Sequence, residues 1–405
     1  MANNILILGI IILVGFVGNL LFNKTRIPES VFLMIIGILL GPIFNLVDGK
    51  FFLDNAPFLI SLALVIVLLD SGLGLNVSKT LKYAPITLLF TILVMLCTVV
   101  AVTLVTVIFF KWPLINGIFL GIIGSGTTTI TISHLVEKLS VGKNTKTLLI
   151  LESVVNDITL ITSASILISF ATTKSGYYSI FRTIFNELFI SFLLGSVFAL
   201  LWAFFFLKYI KGRKLAYTFT VGLAFVIHDG VEYVGFNGAI AVLIFSLFLG
   251  NYSTIIRKLE RYSKLIAPLK TEISIVRGMS TEMSFIIRTL FFVFLGIIFN
   301  TKIIQWNVIV FVFIIVVVEV FSRYIASKSL ALYEPKFSNS VPVITTLVAS
   351  GFTSTLVAFL SIEAGINIPN LAEIVLLLVI GTTLWAIIGA AVLERRLKKS
   401  GVLTY

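Results

Sequence analysis

Leu148-Leu149-Ile150-Leu151-Glu152-Ser153-Val154-Val155-Asn156-Asp157-Ile158-Thr159-Leu160-Ile161 sets two carboxylates inside an apolar run long enough to belong to a membrane-crossing helix. On a helix Ser153 and Asp157 stand four apart on one face, and Glu152 with Asn156 forms a second such pair about 100° further round. Four polar groups therefore occupy one sector. An ionised carboxylate at bilayer depth is costly, so it faces the bundle interior or a water-filled cavity and takes a cation, a proton or another side chain as partner. The stretch reads first as an ion or proton site. A buried Glu–Arg or Asp–Asn network that only locks helices together is the plainer alternative.

The rest of the chain gives this stretch its setting. With 59% hydrophobic and 12% charged residues among 405, and a mean hydropathy of +1.13, it is no ordinary soluble domain, whose charged fraction is about 25%. It reads as an all-α polytopic membrane protein. The first apolar segment, Ile5–Leu21, has neither a basic leader nor a small-residue cleavage site and predicts a retained transmembrane helix. One cysteine, Cys97, and two histidines far apart in sequence, His134 and His228, offer no disulfide framework and no zinc or iron–sulfur cluster. No cofactor is expected.

Apolar segments of spanning length run near 4–23, 28–47, 55–75, 84–110, 114–136, 146–171, 180–207, 215–233, 237–250, 281–300, 303–325, 340–362 and 369–393, which predicts about thirteen transmembrane helices. The segment near 237–250 is short, so twelve is the alternative count. With the amino terminus outside, most lysines and arginines fall in cytoplasmic connections, among them Lys24, Lys79, Lys143, Arg213, Arg257, Arg323, Lys336 and Arg395. This satisfies the positive-inside rule and puts the carboxyl terminus in the cytoplasm of a multi-pass cell-membrane protein. The net charge of +12 is thereby a topology signal with a contact to anionic lipid head groups, and calls for no nucleic acid. The connection Asn251–Ser280 carries Arg257, Lys258, Arg261, Lys264 and Lys270 among Ile255, Leu259, Leu265 and Ile266, and reads as an interfacial amphipathic helix or a solvated linker. One integral domain without a soluble regulatory domain is expected.

Two stretches predict interrupted helices. Gly121-Ile122-Ile123-Gly124-Ser125-Gly126-Thr127-Thr128-Thr129 crowds glycine and hydroxyl residues into the middle of a span, and Ala349-Ser350-Gly351-Phe352-Thr353-Ser354-Thr355 does so far downstream. Unwound backbone at membrane depth is tolerated only where protein buries it or where it lines a cavity. The alternative is a small-residue packing face. The two fall in the fifth and twelfth spans, corresponding places in two inverted six-helix repeats, 1–171 and 214–396, joined by a connecting helix over 178–210. Paired interrupted helices of this kind point to a transporter's midplane site.

Arg288, in Phe285-Ile286-Ile287-Arg288, sits in a hydrophobic run and requires a carboxylate: Glu152 and Asp157 are the natural candidates, with Asp229 and Glu319 as alternatives. Asp70, at the end of the third span, reads as a helix-end cap or a gating contact, and His228-Asp229 as a hydrogen-bonded pair. Glu282 and Glu319 fall near predicted helix ends and receive no role.

Glu152-Ser153-Val154-Val155-Asn156-Asp157 resembles the Glu-Ser-Val-Phe-Asn-Asp signature of the monovalent cation/proton antiporter superfamily, in its prokaryotic sodium/proton exchanger branch, with Val155 in place of Phe. Leu69-Asp70-Ser71-Gly72-Leu73-Gly74-Leu75 and Arg288 in its Phe-rich segment are similar to further features of that family. The resemblance implies a homodimeric secondary antiporter, not an enzyme, that exchanges Na+, or Li+, for H+ in pH homeostasis. Asp157 would bind cation and proton by turns with Asn156 beside it, and Asp157, Ser153, Glu152 and Thr127 would coordinate Na+. It also implies an Arg288–Glu152 ion pair, one-for-one electroneutral exchange and alternating access. One departure stands out: the family's Thr-Asp-Pro is replaced by Thr127-Thr128-Thr129, so Thr128 stands where an acid would neutralise helix termini. That leaves K+/H+ exchange as an alternative, and Na+-coupled symport of an organic anion on a similar scaffold as a second.

Overall fold

The computed structural model describes residues 2–25, 28–47, 49, 55–75, 77–139, 141–172, 177–205, 215–252, 270–300 and 306–399. The described residues are overwhelmingly helical. In chain order they form α1 (Ala2–Thr25), α2 (Glu29–Ile38, extended by a π-helical turn Leu39–Ile43 around Pro42), α3 (Ala56–Gly74), α4 (Val77–Phe110), α5 (Leu114–Gly124) and α6 (Thr129–Lys138). There follow α7 (Lys143–Thr172), α8 (Tyr177–Phe205), α9 (Ala216–Tyr233), α10 (Gly238–Gly250), α11 (Lys270–Ile297) and α12 (Trp306–Tyr333). A 3-10 turn (Pro335–Ser340) leads into α13 (Val341–Thr346), α14 (Phe352–Glu363) and α15 (Leu371–Lys399).

Eight stretches of helix among the described residues are long and apolar enough to cross a membrane. Their outward faces carry large apolar side chains, such as Leu96 and Val100 on α4 and Phe189, Leu200 and Phe204 on α8, and the shorter α1 does the same with Leu13 and Phe16. Exposed apolar side chains in that number suit a hydrocarbon surrounding and not water. The chain is a multi-pass membrane protein.

The helices gather into two compact units. One comprises Met1–Ala56, Tyr83–Ile168 and Thr289–Tyr405; the other Pro57–Lys82 and Ser169–Arg288. Each therefore draws on both halves of the chain, across the boundaries of the proposed repeats.

In the second unit α8 packs along α10, with Gly195 so close to Ala241 that any side chain there would overlap its carbonyl. Asn237 starts α10: its Oδ1 accepts the Ile240 N–H at 3.0 Å and its own N–H donates to Ser191 Oγ. At 13 residues α10 is about 20 Å long, the short element expected near 237–250. Gly72 of α3 packs against Ser246, whose hydroxyl donates to Leu68 O at 3.2 Å, and Asn251 Nδ2 donates to Leu75 O at 2.7 Å.

In the first unit the core runs through Phe90, Ile132, Leu148, Leu149, Ala326, Leu330, Phe337, Ile344 and Leu347, and thus ties α4, α6, α7 and α12 to α13. A second patch joins α11 to α14 through edge-to-face rings, Phe291 to Phe352 at 5.1 Å and Phe291 to Phe359 at 5.4 Å.

Helix ends depart from the sequence reading, most at α4, which starts at Val77 and not near 84, and at α11 and α12. α12 continues to Tyr333, well beyond the apolar run that ends near 325, because Ser322, Arg323 and Ser327 turn inward to buried partners and Ser322 and Ser327 bond carbonyls four residues back. Arg323, read from sequence as a loop residue, is thereby a core residue. α11 likewise starts at Lys270 and not near 281. The rest of the expected interfacial helix, 253–269, lies outside the described residues.

Candidate ion site

Two helices of the first unit break where glycine and hydroxyl residues are concentrated. Between α5 and α6 residues 125–128 leave the helix, and between α13 and α14 residues 347–351 do so. The breaks meet: Thr128 N–H donates to Ala349 O at 2.8 Å, and Gly351 lies so close to Thr128 that an added Cβ would overlap it. Backbone groups freed by unwinding are thus paired with each other or with side chains, as burial requires.

α7 supplies the brace. The Asn156 carboxamide is fully buried; its Oδ1 accepts the Thr127 N–H at 2.9 Å while its Nδ2 donates to Ser125 O at 3.0 Å. One side chain satisfies a donor and an acceptor of the same unwound segment, using both ends of its amide. Asn156→Asp should replace the donor to Ser125 O with an oxygen facing an oxygen. The expected cost is about 1–3 kcal/mol for an orphaned buried acceptor, read as a lower thermal unfolding midpoint of the purified protein.

One turn earlier Glu152 is fully buried and held on both oxygens: Arg323 Nη1 reaches Oε1 at 3.1 Å and Nη2 reaches Oε2 at 2.9 Å. Thr127 Oγ1 adds a donor to Oε1 at 3.3 Å. The third arm of the guanidinium, Nε, donates to Ile344 O at 2.8 Å near the carbonyl end of α13, and its face lies over the Phe90 ring at 5.6 Å. This corrects the ion pair expected from sequence. Glu152 belongs to Arg323; Arg288 pairs instead with Asp70 at 3.9 Å, beside the Thr281 hydroxyl that donates to Asp70 at 2.8 Å. Asp70, expected as a helix-end cap or a gating contact, thus holds an ion pair and a hydrogen bond. Arg323 and Glu152 lie in the same compact unit, and the guanidinium fork takes both carboxylate oxygens.

Asp157, partly buried, accepts a hydrogen bond from Thr353 Oγ1 at 2.6 Å. Thr353 belongs to the first turn of α14, whose N-terminal end favours a carboxylate. Ser153 is fully buried and its hydroxyl donates to Ile150 O at 3.0 Å, within its own helix. The remaining expected residues fall along the breaks. Gly124 ends α5, Gly126 packs under Ser354 Oγ, Thr129 begins α6, and Ser350 N–H donates to Thr382 Oγ1 at 3.0 Å.

The structure thus brings Asp157, Asn156, Glu152, Thr127 and Thr353 to one place, with Thr128 linking the two breaks. Sequence reasoning missed Arg323 and the bond from Thr353 to Asp157. The intrahelical serines around Arg323 were the available signal, since they mark an inward polar face and not a helix end.

A profile of the "sodium/hydrogen exchanger, transmembrane" family matches residues 9–394. The fold is similar to that of the sodium proton antiporter MjNhaP1 from Methanocaldococcus jannaschii at pH 8, with a TM-score of 0.81 at 16% identity over 96% of this chain and 98% of that one. It is also similar to an electron-microscopy structure of MjNhaP1, with a TM-score of 0.70 at 16% identity over 98% and 96% of the two chains. Comparison with curated protein sequences finds no match.

Proposed function

The chain belongs to the transmembrane sodium/hydrogen exchanger family, and from that premise we propose that it exchanges Na+, and Li+, for H+ by competition at Asp157. The observation that carries this reading is the contrast between the two acids of α7. Glu152 is fully buried and claimed by Arg323, whereas Asp157 is partly exposed at the meeting of two broken helices, against the hydroxyl of Thr353. The first is built to hold helices; the second is placed to change its ligand.

A carboxylate that takes either a proton or a cation, and never both, couples the two fluxes because each must leave before the other binds. With Asn156 neutral and the Glu152 charge compensated, one charge cycles per turnover, which supports electroneutral one-for-one exchange. Oxygens for the cation come from Asp157 and the hydroxyls and carbonyls of the breaks, with Thr353 added to the set expected from sequence. Ser153 and Glu152 act in this reading by shaping the site. Alternating access in a homodimer, with the amino terminus outside, completes the proposal.

Thr128 favours a second reading, potassium in place of sodium, because no acid stands at the start of α6. Proteoliposomes with an interior pH dye separate these. Proton flux on adding sodium or lithium, unchanged in rate when a permeant anion clamps the voltage and erased as a pH signal by a protonophore, is the expected result; flux with potassium alone would move the assignment to K+/H+ exchange. No flux with any cation, but sodium-dependent uptake of an organic anion, would make it a symporter. Thr353→Val should raise the sodium concentration needed for half-maximal flux and Thr353→Ser should restore it. Loss of a charge-assisted hydrogen bond of about 1.5–3 kcal/mol corresponds to a change of about tenfold or more.

A further inference from the structure

Glu319 stands one helical turn before Arg323 on α12 and is only 2% exposed, yet neither of its carboxylate oxygens has a hydrogen-bond partner among the described residues. Arg323 does not serve it, since its three nitrogens go to Ile344 O and Glu152. The Glu319 carboxyl lies instead against Gly124, where an added Cβ would stand 3.0 Å from Glu319 Cδ. Gly124 is the last residue of α5, the carbonyl end of a helix, where the backbone partial charge is negative. Two residues on, Gly126 is pressed by Ser354 Oγ, which is 1% exposed and also has no partner among the described residues.

Among the described residues no ion pair reaches Glu319. Of the elements packed against α12, α5 and α13 carry no ionisable side chain. α4 has Lys79 and Lys82 and α7 has Lys143 and Lys146 only near their starts, the α7 acids Glu152 and Asp157 are bonded to Arg323 and Thr353, and α6 carries His134, Glu137 and Lys138 in its second half. The 3-10 turn offers Lys336, which is 2.9 Å from Glu334, and α15 has its ionisable groups only toward its ends, Glu373 at one and Glu394 through Lys399 at the other. On α12 itself the remaining lysine, Lys328, lies over the Tyr324 ring. A proton both removes the charge from this buried place and turns one oxygen into a donor for a carbonyl end.

We propose that Glu319 is a second proton-binding site, on the α12 side of the broken segment that Asn156 braces. It holds its proton while that segment is packed as seen here, and gives it to water when the segment moves. Only the claim of movement rests on the exchange proposed above. The carboxyl acts on transport as a proton-dependent latch, separate from the ion exchanged at Asp157.

Infrared spectroscopy of the Asp157→Asn protein in lipid tests this without relying on transport. A protonated-carboxyl carbonyl band is expected at neutral pH, diminishing as pH rises, and absent from Asp157→Asn/Glu319→Gln. If the double variant does not fold, Glu319→Asp in its place should keep the band and shift it. In the wild-type background, Glu319→Gln should remove one step from the pH profile of cation-driven proton flux. An identical band with and without Glu319, or a band that does not change with pH together with superimposable flux profiles, overturns the proposal. Absence of flux from the wild type would overturn the exchange reading alone.

Discussion

Asp157→Asn abolishes cation-driven proton flux in proteoliposomes and leaves the protein folded. The amide keeps an oxygen to accept the Thr353 hydroxyl, whose bond to Asp157 is 2.6 Å, so the contact between α7 and α14 survives. What is lost is the capacity to change charge: an amide neither releases a proton in the working pH range nor attracts a cation as a carboxylate does. Flux at the detection floor, with a thermal unfolding midpoint close to that of the wild type, is the expected pair of results. Persistent flux would move the exchanging carboxyl elsewhere, and the competition mechanism would fall.

The second large effect belongs to Arg323. Arg323→Met strands Glu152 as a fully buried carboxylate without its cation, at an expected cost of about 3–5 kcal/mol. Adding Glu152→Gln should recover most of that loss, because replacing both members of a buried pair is often close to neutral. Thermal unfolding of the single and double variants measures the stability arm, and flux in the double variant decides what Glu152 does. Transport by a stable Glu152→Gln/Arg323→Met protein would show that the pair is a clamp. A folded double variant without transport would return Glu152 to the cation's ligands. Arg288→Met is the contrasting case. Its partner Asp70 is 3.9 Å away and keeps the Thr281 hydroxyl at 2.8 Å, so a smaller loss of stability than that of Arg323→Met is expected.

Much of the site was legible along the chain because its parts are local. The acids at 152 and 157 and their spacing lie on one helix, and the stretches around Gly124–Thr129 and Ser350–Ser354 announce a break through residue types that regular helices avoid at membrane depth. The family likeness rests on that same local signature. The family profile extends it across the chain, from 9 to 394.

Partner choice was not legible. Glu152 and Arg323 are 171 positions apart, and Asp157 and Thr353 are 196 apart. Two arginines, 288 and 323, lay within reach of the same reasoning, and hydropathy favoured the wrong one: Arg288 is flanked by apolar residues, whereas Arg323 sits among serines that resemble the end of a span. Glu319 was passed over for the same reason. Hydropathy measures the average cost of a segment in lipid, and a buried polar face that satisfies itself inside the protein looks, residue by residue, like an exit into water.

The sequence by itself determined that this is a helical membrane protein, that two of its helices are interrupted, and that α7 carries the acids. Those properties follow from local composition and from a helix's fixed period. Only the tertiary structure decided that Arg323 neutralises Glu152, that Asn156 braces the broken segment, that Thr353 meets Asp157, and that Glu319 is enclosed against the end of α5. Each of these depends on which helices pack together, and hydrogen bonds and ion pairs are too short in range for spacing along the chain to fix them.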